Sequence, residues 1–240
     1  MSNHFFKFKQ FTVFHDLCAM KVGTDGVLLG AWCDIQSKKR VLDIGTGTGL
    51  ISLMIAQRNQ EAMIDAVEIE PDAAHQAVVN FEKSPWANRL KLFGADFIHF
   101  ASETTCKYDL IVSNPPYFEN ALKADCNKRS QARHTDSLSY EQLIAASASL
   151  LSDNGSLALI YPIEMDLKIQ ELAIHNKLTC TRRTVVKGNP QAAPKRLLAE
   201  FKPFGHTAGC VENELIVEAE RHQYTSDYIA LTRAFYLKMD

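Results

Sequence analysis

The sequence has no apolar run long enough to cross a bilayer and no cysteine pair with the spacing of metal ligands. Its six cysteines are scattered without a C-x-x-C pair, which argues against a zinc site or a disulfide framework and fits reduced thiols. The first nine residues lack the apolar core of a signal peptide. The histidines show no ligand spacing. We therefore expect a cytoplasmic protein without a metal and without a membrane partner.

An excess of positive charge is also missing, since the net charge is −2. Proteins that bind nucleic acid are often basic overall, so RNA binding here would need a local basic patch. Hydrophobic residues make up 46% and charged residues 22%, as in an ordinary globular protein. Neither repeats nor a Pro-rich or Gly/Ser-rich linker divides the 240 residues. This points to one large domain.

Apolar strands alternate with helical segments from residue 40 onward, which predicts an α/β fold with a parallel sheet, helices on both faces and right-handed crossovers. The predicted strands are 40–44, 63–69, 90–93, 108–112 and 156–161, and the predicted helices are 48–57, 71–79, 140–151 and 165–175.

The last third is richer in strand pattern, at 178–186, 196–201 and 214–217, which predicts an antiparallel edge on the sheet. A closing helix is predicted over 224–239. Before residue 40 lie a β-like stretch, 6–14, and a helical stretch, 25–32, too short to form a core of their own. We predict an N-terminal appendage, 1–39, and a single domain, 40–240.

A glycine-rich loop, Gly45-Thr-Gly-Thr-Gly49, follows the strand at 40–44 and precedes a helix. Alternating glycines permit a tight turn and let a ligand approach the backbone. Asp43 precedes the loop, where its carboxylate would repel a pyrophosphate and attract an ammonium group. The pattern therefore predicts a cofactor loop rather than a plain turn or a dinucleotide fingerprint.

Acidic residues end the next two strands. Glu68 lies 19 positions after Gly49, near the offset at which an acid binds ribose hydroxyls, and Glu70 before Pro71 is interpreted as a helix-start acid. Asp96 follows the third strand. It could accept from an adenine amine or cap a following helix, and spacing alone leaves both open.

Residues 113–118 read S-N-P-P-Y-F at the end of a buried strand. Prolines cannot donate to a sheet ladder, so the strand must stop and a stiff bend must follow. Such a bend, carrying an amide and an aromatic ring, is typical of a platform for a flat polar ligand.

These motifs, in order, resemble those of the Rossmann-like class I S-adenosylmethionine methyltransferases: DIGTGTG at 43–49, VEIEP at 67–71, GADF at 94–97 and NPPY at 114–117. NPPY narrows the resemblance to enzymes that methylate adenine N6 or a release-factor glutamine. The whole chain also resembles the bacterial tRNA1(Val) (adenine(37)-N6)-methyltransferase family, including segments 11–15, 20–32 and 129–134.

The resemblance implies a mostly parallel seven-stranded sheet and a role for each motif. Binding of the cofactor S-adenosylmethionine is implied for Thr24, Asp25, Asp43, Gly45, Gly47, Gly49, Glu68, Asp96 and Asn114. Asn114 and the Pro115 carbonyl would accept from the target amine, and Tyr117 would stack on the target base. The implied substrate is an adenosine in tRNA, in this family adenosine 37 of the anticodon loop of a valine tRNA.

Basic residues follow the NPPY bend, where a loop could contact phosphates beside a flipped base. These are Lys123, Lys128, Arg129, Arg133 and His134, and a further pair is Lys195 and Arg196. We predict that they bind RNA. The cluster Arg182, Arg183 and Lys187 is weaker evidence, because single surface cations are usually only solvated.

Three alternatives remain open from the sequence: a release-factor glutamine methyltransferase, a ribosomal RNA adenine-N6 methyltransferase, and a cofactor-binding RNA chaperone or sensor. The first is disfavoured because only 39 residues precede Arg40, too few for a separate helical domain. The sequence does not determine the oligomeric state, although we expect a monomer.

Overall fold

A computed structural model describes residues 4–18, 21–115, 138–205 and 209–239. The strands are β1 (Phe5–Lys7), β2 (Thr12–Phe14), β3 (Arg40–Ile44), β4 (Met63–Glu68), β5 (Leu90–Gly94), β6 (Tyr108–Ser113), β7 (Leu151–Pro162), β8 (Leu178–Lys187), β9 (Arg196–Pro203), β10 (Val211–Ile216), β11 (Glu218–Glu220) and β12 (Gln223–Tyr224). The helices are α1 (Thr24–Trp32), α2 (Leu50–Arg58), α3 (Pro71–Glu82), α4 (Phe97–Glu103), α5 (Tyr140–Leu150), α6 (Asp166–His175) and α7 (Ser226–Thr232).

The central sheet has the strand order β10-β8-β9-β7-β6-β3-β4-β5. Strand β9 runs antiparallel to both of its neighbours, β7 and β8, and the other pairs in the sheet are parallel. The predicted mostly parallel α/β sheet is confirmed. The antiparallel strand lies two places inside the edge, and β10 adds an eighth strand to the implied seven.

Alternate residues of the central strands face two different cores, as the pleat of a strand requires. Val41 and Val112 pack into the core beside α1, α2 and α7. Leu42 and Ile111 pack into the core beside α4, α5 and α6. Helices therefore cover both faces, as predicted.

The N-terminal residues enter the first of these cores. Strands β1 and β2 pair as a short hairpin, and Phe8, Phe11 and Val13 are buried in the same cluster as helices α1 and α2. The division into residues 1–39 and 40–240 stays a prediction.

The predicted closing helix over 224–239 is wrong. Helix α7 covers only Ser226–Thr232. Turns follow it: the Phe235 N–H donates to the Thr232 carbonyl, and the Met239 N–H donates to the Tyr236 carbonyl. Phe235 and Met239 are buried in the core within these turns.

Candidate active site

The glycine loop, Glu68 and Asn114 meet because their strands are neighbours. Strand β3 pairs with β4 on one side and with β6 on the other, all parallel, so their carboxyl ends share one edge of the sheet. The chain continues from β3 to β4, and β6 lies on the opposite side of β3. Ligands of open parallel sheets bind where the strand order reverses in this way. The sheet therefore places a crevice beside the loop after β3.

The glycine loop has a backbone that favours glycine. Gly45, Gly47 and Gly49 have φ values of 67°, 57° and 82°. A Cβ at Gly45 or Gly47 would meet nothing within 4 Å, whereas one at Gly49 would lie 2.4 Å from the Phe81 ring. The first two glycines thus face open space that a ligand could enter, and the third is a close packing contact.

Asp43 is fully buried beneath this loop. Its Oδ2 accepts from the Thr46 hydroxyl at 2.6 Å and from the Ser52 hydroxyl and N–H at 2.7 and 3.1 Å. Its Oδ1 is buried without a hydrogen-bond partner among the described residues. Burial raises the pKa of Asp43 to about 6, against the opposing effect of the Thr46 and Ser52 hydrogen bonds. The orphaned oxygen fits an ammonium group as an additional donor.

Glu68 ends β4 with a largely buried carboxylate. Its Oε2 accepts from the Gly47 N–H at 2.8 Å, and its Oε1 accepts from the Glu70 N–H at 3.0 Å. The carboxylate therefore joins the glycine loop to the start of α3. Glu70 itself occupies the N-cap position before Pro71, as the sequence predicted.

Asp96 lies after β5, whose end is tied to β4 by a hydrogen bond from the Ala95 N–H to the Glu68 carbonyl. Its Oδ1 accepts from the His99 N–H at 2.9 Å and caps helix α4. The capping role that the sequence left open is therefore present. The carboxylate is exposed at the same sheet edge, so one oxygen can cap while the other meets a ligand.

Asn114 and Pro115 follow β6 directly, and the preceding Ser113 hydroxyl donates to the Ile44 carbonyl at 2.9 Å. This bond holds the end of β6 against the start of the glycine loop. Asn114 is half-buried and Pro115 is buried. Tyr117 lies outside the described residues, as do Lys123, Lys128, Arg129, Arg133 and His134.

Thr24 and Asp25 begin helix α1, and Asp25 forms an ion pair with Arg196, whose Nε lies 2.8 Å from its carboxylate. Arg196 begins β9 opposite Pro162, the last residue of β7, and therefore lies at the carboxyl edge of the sheet. Lys195 is exposed beside it. Thr24 and Asp25, which are predicted to bind the cofactor, thus lie at the same edge of the sheet as Lys195 and Arg196, which are predicted to bind RNA.

The weaker basic cluster is engaged in structural contacts. The Arg182 guanidinium lies 3.8 Å from the centre of the Trp32 ring, and Arg183 pairs with Asp166 and Glu212. Lys187 pairs with Glu214. These side chains stabilise the β8 region, which supports the cautious interpretation of this cluster.

Sequence reasoning missed four side chains that support the site. Thr46 and Ser52 donate to Asp43. Asn80 and Gln76 of α3 contact the N-terminal segment. The sequence contained a signal for Thr46 and Ser52, because both lie within nine positions of Asp43 and Ser52 falls in the first turn of α2. Asn80 carried no such signal, because its partners are distant in sequence.

Within the described residues, no set of three or more His, Cys, Asp and Glu side chains is placed to hold a metal ion. Over the same residues, no helix has the length and apolar character needed to span a membrane.

Comparison with known proteins places this geometry in context. The sequence model of a protein family, the methyltransferase small domain, matches residues 19–185. A tRNA1(Val) (adenine(37)-N6)-methyltransferase of Bacteroides fragilis is 48% identical over 240 residues, covering all of both chains.

Two solved structures share the fold. A predicted O-methyltransferase of Agrobacterium tumefaciens has a TM-score of 0.69 at 19% identity, covering 88% of this chain and 96% of that one. A protein of Listeria monocytogenes assigned as a class I S-adenosylmethionine-dependent methyltransferase has a TM-score of 0.58 at 15% identity, covering 87% and 68%.

Proposed function

The chain belongs to the family of tRNA1(Val) (adenine(37)-N6)-methyltransferases within the small-domain methyltransferases, and from that premise we propose that it methylates N6 of adenosine 37 in a valine tRNA. The observation that carries the proposal is 48% sequence identity to such an enzyme over the full length of both chains. It agrees with the meeting of a glycine loop, two strand-end acids and Asn114 at one sheet edge. The reaction belongs in the cytoplasm, where tRNA is found.

S-adenosylmethionine is the methyl donor in this proposal, and it supplies an electrophilic methyl group on a sulfonium centre. The orphaned oxygen of Asp43 suits its ammonium group, and the open space over Gly45 and Gly47 suits close approach to the backbone. Glu68 would hold the ribose hydroxyls and Asp96 the adenine amine. Thr24 and Asp25 would close over the site from the N-terminal segment.

Asn114 and Pro115 would act on the target base. The lone pair of an aromatic amine is delocalised into the ring, so the amine is a poor nucleophile. Acceptors at its two hydrogens, the Asn114 side chain and the Pro115 carbonyl, favour a tetrahedral nitrogen and stabilise the positive charge that develops on attack. Holding the amine in place makes the step effectively unimolecular. The product nitrogen then loses its proton readily.

The target base must leave its stack to reach such an edge, and Tyr117 would replace the lost stacking. Phosphates around the base would be held by the basic residues after the bend, Lys123, Lys128, Arg129, Arg133 and His134, and by Lys195 and Arg196. Because the net charge is only −2, this binding would depend on these local groups of cations.

The test is methyl transfer from labelled S-adenosylmethionine to total tRNA from a strain that lacks the protein, followed by nucleoside analysis. Label in N6-methyladenosine that maps to position 37 of a valine tRNA is the expected result. Label in a release factor or in ribosomal RNA, with none in tRNA, would overturn the substrate and leave the acceptor chemistry intact.

A further inference from the structure

Asn80 of helix α3 joins three separate segments with one side chain. Its Nδ2 donates to the Phe14 carbonyl and to the Thr48 carbonyl, both at 2.8 Å, and its Oδ1 accepts from the Phe14 N–H at 2.9 Å. The side chain is 1% exposed. Both amide hydrogens and the amide oxygen are used, so these partners fix the orientation of the amide. Helix α3, strand β2 and the glycine loop are thereby fastened at one point.

Two neighbours of Asn80 extend this connection. The next residue, Phe81, packs directly against Gly49 at the end of the glycine loop. One helical turn earlier, the Oε1 of buried Gln76 accepts from the Leu17 N–H at 3.1 Å. Helix α3 therefore supports the loop with Asn80 and Phe81, and it holds the N-terminal segment with Asn80 and Gln76.

The far end of this N-terminal segment lies within range of the charge of Glu68, the strand-end acid of β4. The half-buried Cys18 thiol has a pKa raised to about 11, first by burial and then by the charges of Glu68, Asp16 and Asp72. The same Glu68 accepts from the Gly47 N–H in the loop. The segment from Phe14 to Cys18 thus runs from Asn80 toward the group proposed to hold the ribose hydroxyls.

We propose that Asn80 is a positioning residue for the cofactor site, through which the conformation of the glycine loop and the seating of residues 14–18 are coupled. The proposal rests on the proposed function, since the loop is taken to bind S-adenosylmethionine. A ligand that favours one loop conformation must then favour the seated segment, and a seated segment must raise the affinity for that ligand by the same factor. Asn80 contacts no group proposed to touch the target base, so it acts on cofactor binding.

The matched variants are Asn80→Ala and Gln76→Ala, which remove buried amides one helical turn apart. Each variant removes hydrogen bonding to the N-terminal segment, but only Asn80 also bonds to the loop. In a second pair, Asn80→Asp and Gln76→Glu, each side chain keeps the oxygen that accepts a hydrogen bond. Each replacement changes the amide nitrogen to a second oxygen, so the donor is lost. Unfolding temperatures are measured for all four, so that a general loss of stability is seen directly.

The readouts are the Kd for S-adenosylmethionine, steady-state kinetics, and the rate of Cys18 alkylation followed by mass spectrometry of its peptide. In the wild type, we expect saturating cofactor to slow Cys18 alkylation. Asn80→Ala raises the Kd by about tenfold or more, and cofactor then changes the Cys18 rate much less. Gln76→Ala keeps the Asn80 bonds that join Phe14 to the loop, so it leaves the Kd within about twofold. At saturating cofactor, kcat of Asn80→Ala returns to within about threefold of the wild type.

Equal losses of affinity in the Asn80 and Gln76 variants, in proportion to their losses of stability, would overturn the coupling. So would a Cys18 rate in the wild type that does not respond to cofactor. If instead the wild-type protein binds no S-adenosylmethionine, the proposed function itself fails. Cofactor binding by the wild type therefore distinguishes a failure of the proposed function from a failure of the coupling alone.

Discussion

The carboxylate of Asp25 accepts a hydrogen bond from the Nε of Arg196 at 2.8 Å across 171 positions of the sequence. Asp25 lies in the first turn of α1, and Arg196 is the first residue of β9. The two side chains are 26% and 31% exposed. The sequence predicted that Asp25 binds the cofactor and that Arg196 binds RNA. The ion pair brings these two residues together at one edge of the sheet.

Replacing Arg196 by alanine tests the RNA assignment. A partly exposed ion pair contributes about 1 kcal/mol to the free energy of unfolding, so Arg196→Ala should fold. We expect kcat/KM for tRNA to fall roughly tenfold, with the larger effect on KM. The matched control is Lys202→Ala, since Lys202 is a cation at the opposite end of the same strand that pairs with Glu200. Equal losses in the two variants would refute a specific role for Arg196.

Replacing Asp43 by asparagine separates cofactor binding from stability. The folded-state pKa of about 6 lies above the ordinary value of 3.8, so the folded protein holds the extra proton between these values. Ionising this buried group therefore costs stability as the pH rises from about 4 to about 6. A neutral amide at this position has no such cost. Relative to the wild type, Asp43→Asn should gain on the order of 3 kcal/mol in the free energy of unfolding across that range.

The affinity for S-adenosylmethionine should rise with pH, whereas the contribution of Asp43 to stability falls. The ionised carboxylate is the form that attracts an ammonium group, so wild-type affinity for S-adenosylmethionine should fall below about pH 6. Asp43→Asn should bind about tenfold or more weakly at about pH 7.5 and lack this dependence. Calorimetric titrations between about pH 5 and about pH 8 would measure both, at roughly unit steps. An unchanged affinity in Asp43→Asn would contradict the role of the carboxylate.

The parts of the fold that were predicted correctly have strong local signals. Strand β3 begins and ends as the apolar run Arg40–Ile44 predicts, and Pro71 marks the start of α3. The missed features depend on contacts between distant residues. Helix α7 ends at Thr232 and is followed by turns in which Phe235 is buried, and no local pattern after Thr232 indicates those turns.

The same reasoning applies to the site. Glu68 could be predicted as a candidate site residue because an acid at a strand end has a recognisable offset from the glycine loop. The contacts that hold it and its neighbours arise only when strands pair, as between Ser113 and Ile44. The scattered cysteines give another example, since the Cys180 and Cys210 sulfurs lie 2.9 Å apart despite their separation in sequence.

Two of the loop glycines, Gly47 and Gly49, should respond differently to replacement by alanine. Gly49→Ala should reduce the free energy of unfolding by about 2 kcal/mol or more, because its Cβ would lie 2.4 Å from Phe81 at a positive φ. Gly47→Ala meets only open space, so it should cost about 1 kcal/mol of stability. It should weaken S-adenosylmethionine binding by about tenfold or more where the ligand needs that space. Gly188→Ala, at an open position without a positive φ, is the control that should change neither quantity.

Asn114→Ala tests the chemistry itself. Asn114 is half-buried where β6 ends against the glycine loop, and it is proposed to accept from the target amine and to contact the cofactor. Because Asp43, Glu68 and the loop backbone would hold the cofactor without it, the Kd for S-adenosylmethionine should rise no more than about fivefold. The single-turnover rate of methyl transfer to tRNA should fall by about a hundredfold or more, because one acceptor at the developing charge is lost. Turnover like that of the wild type would show that Asn114 has no part in the methyl-transfer step.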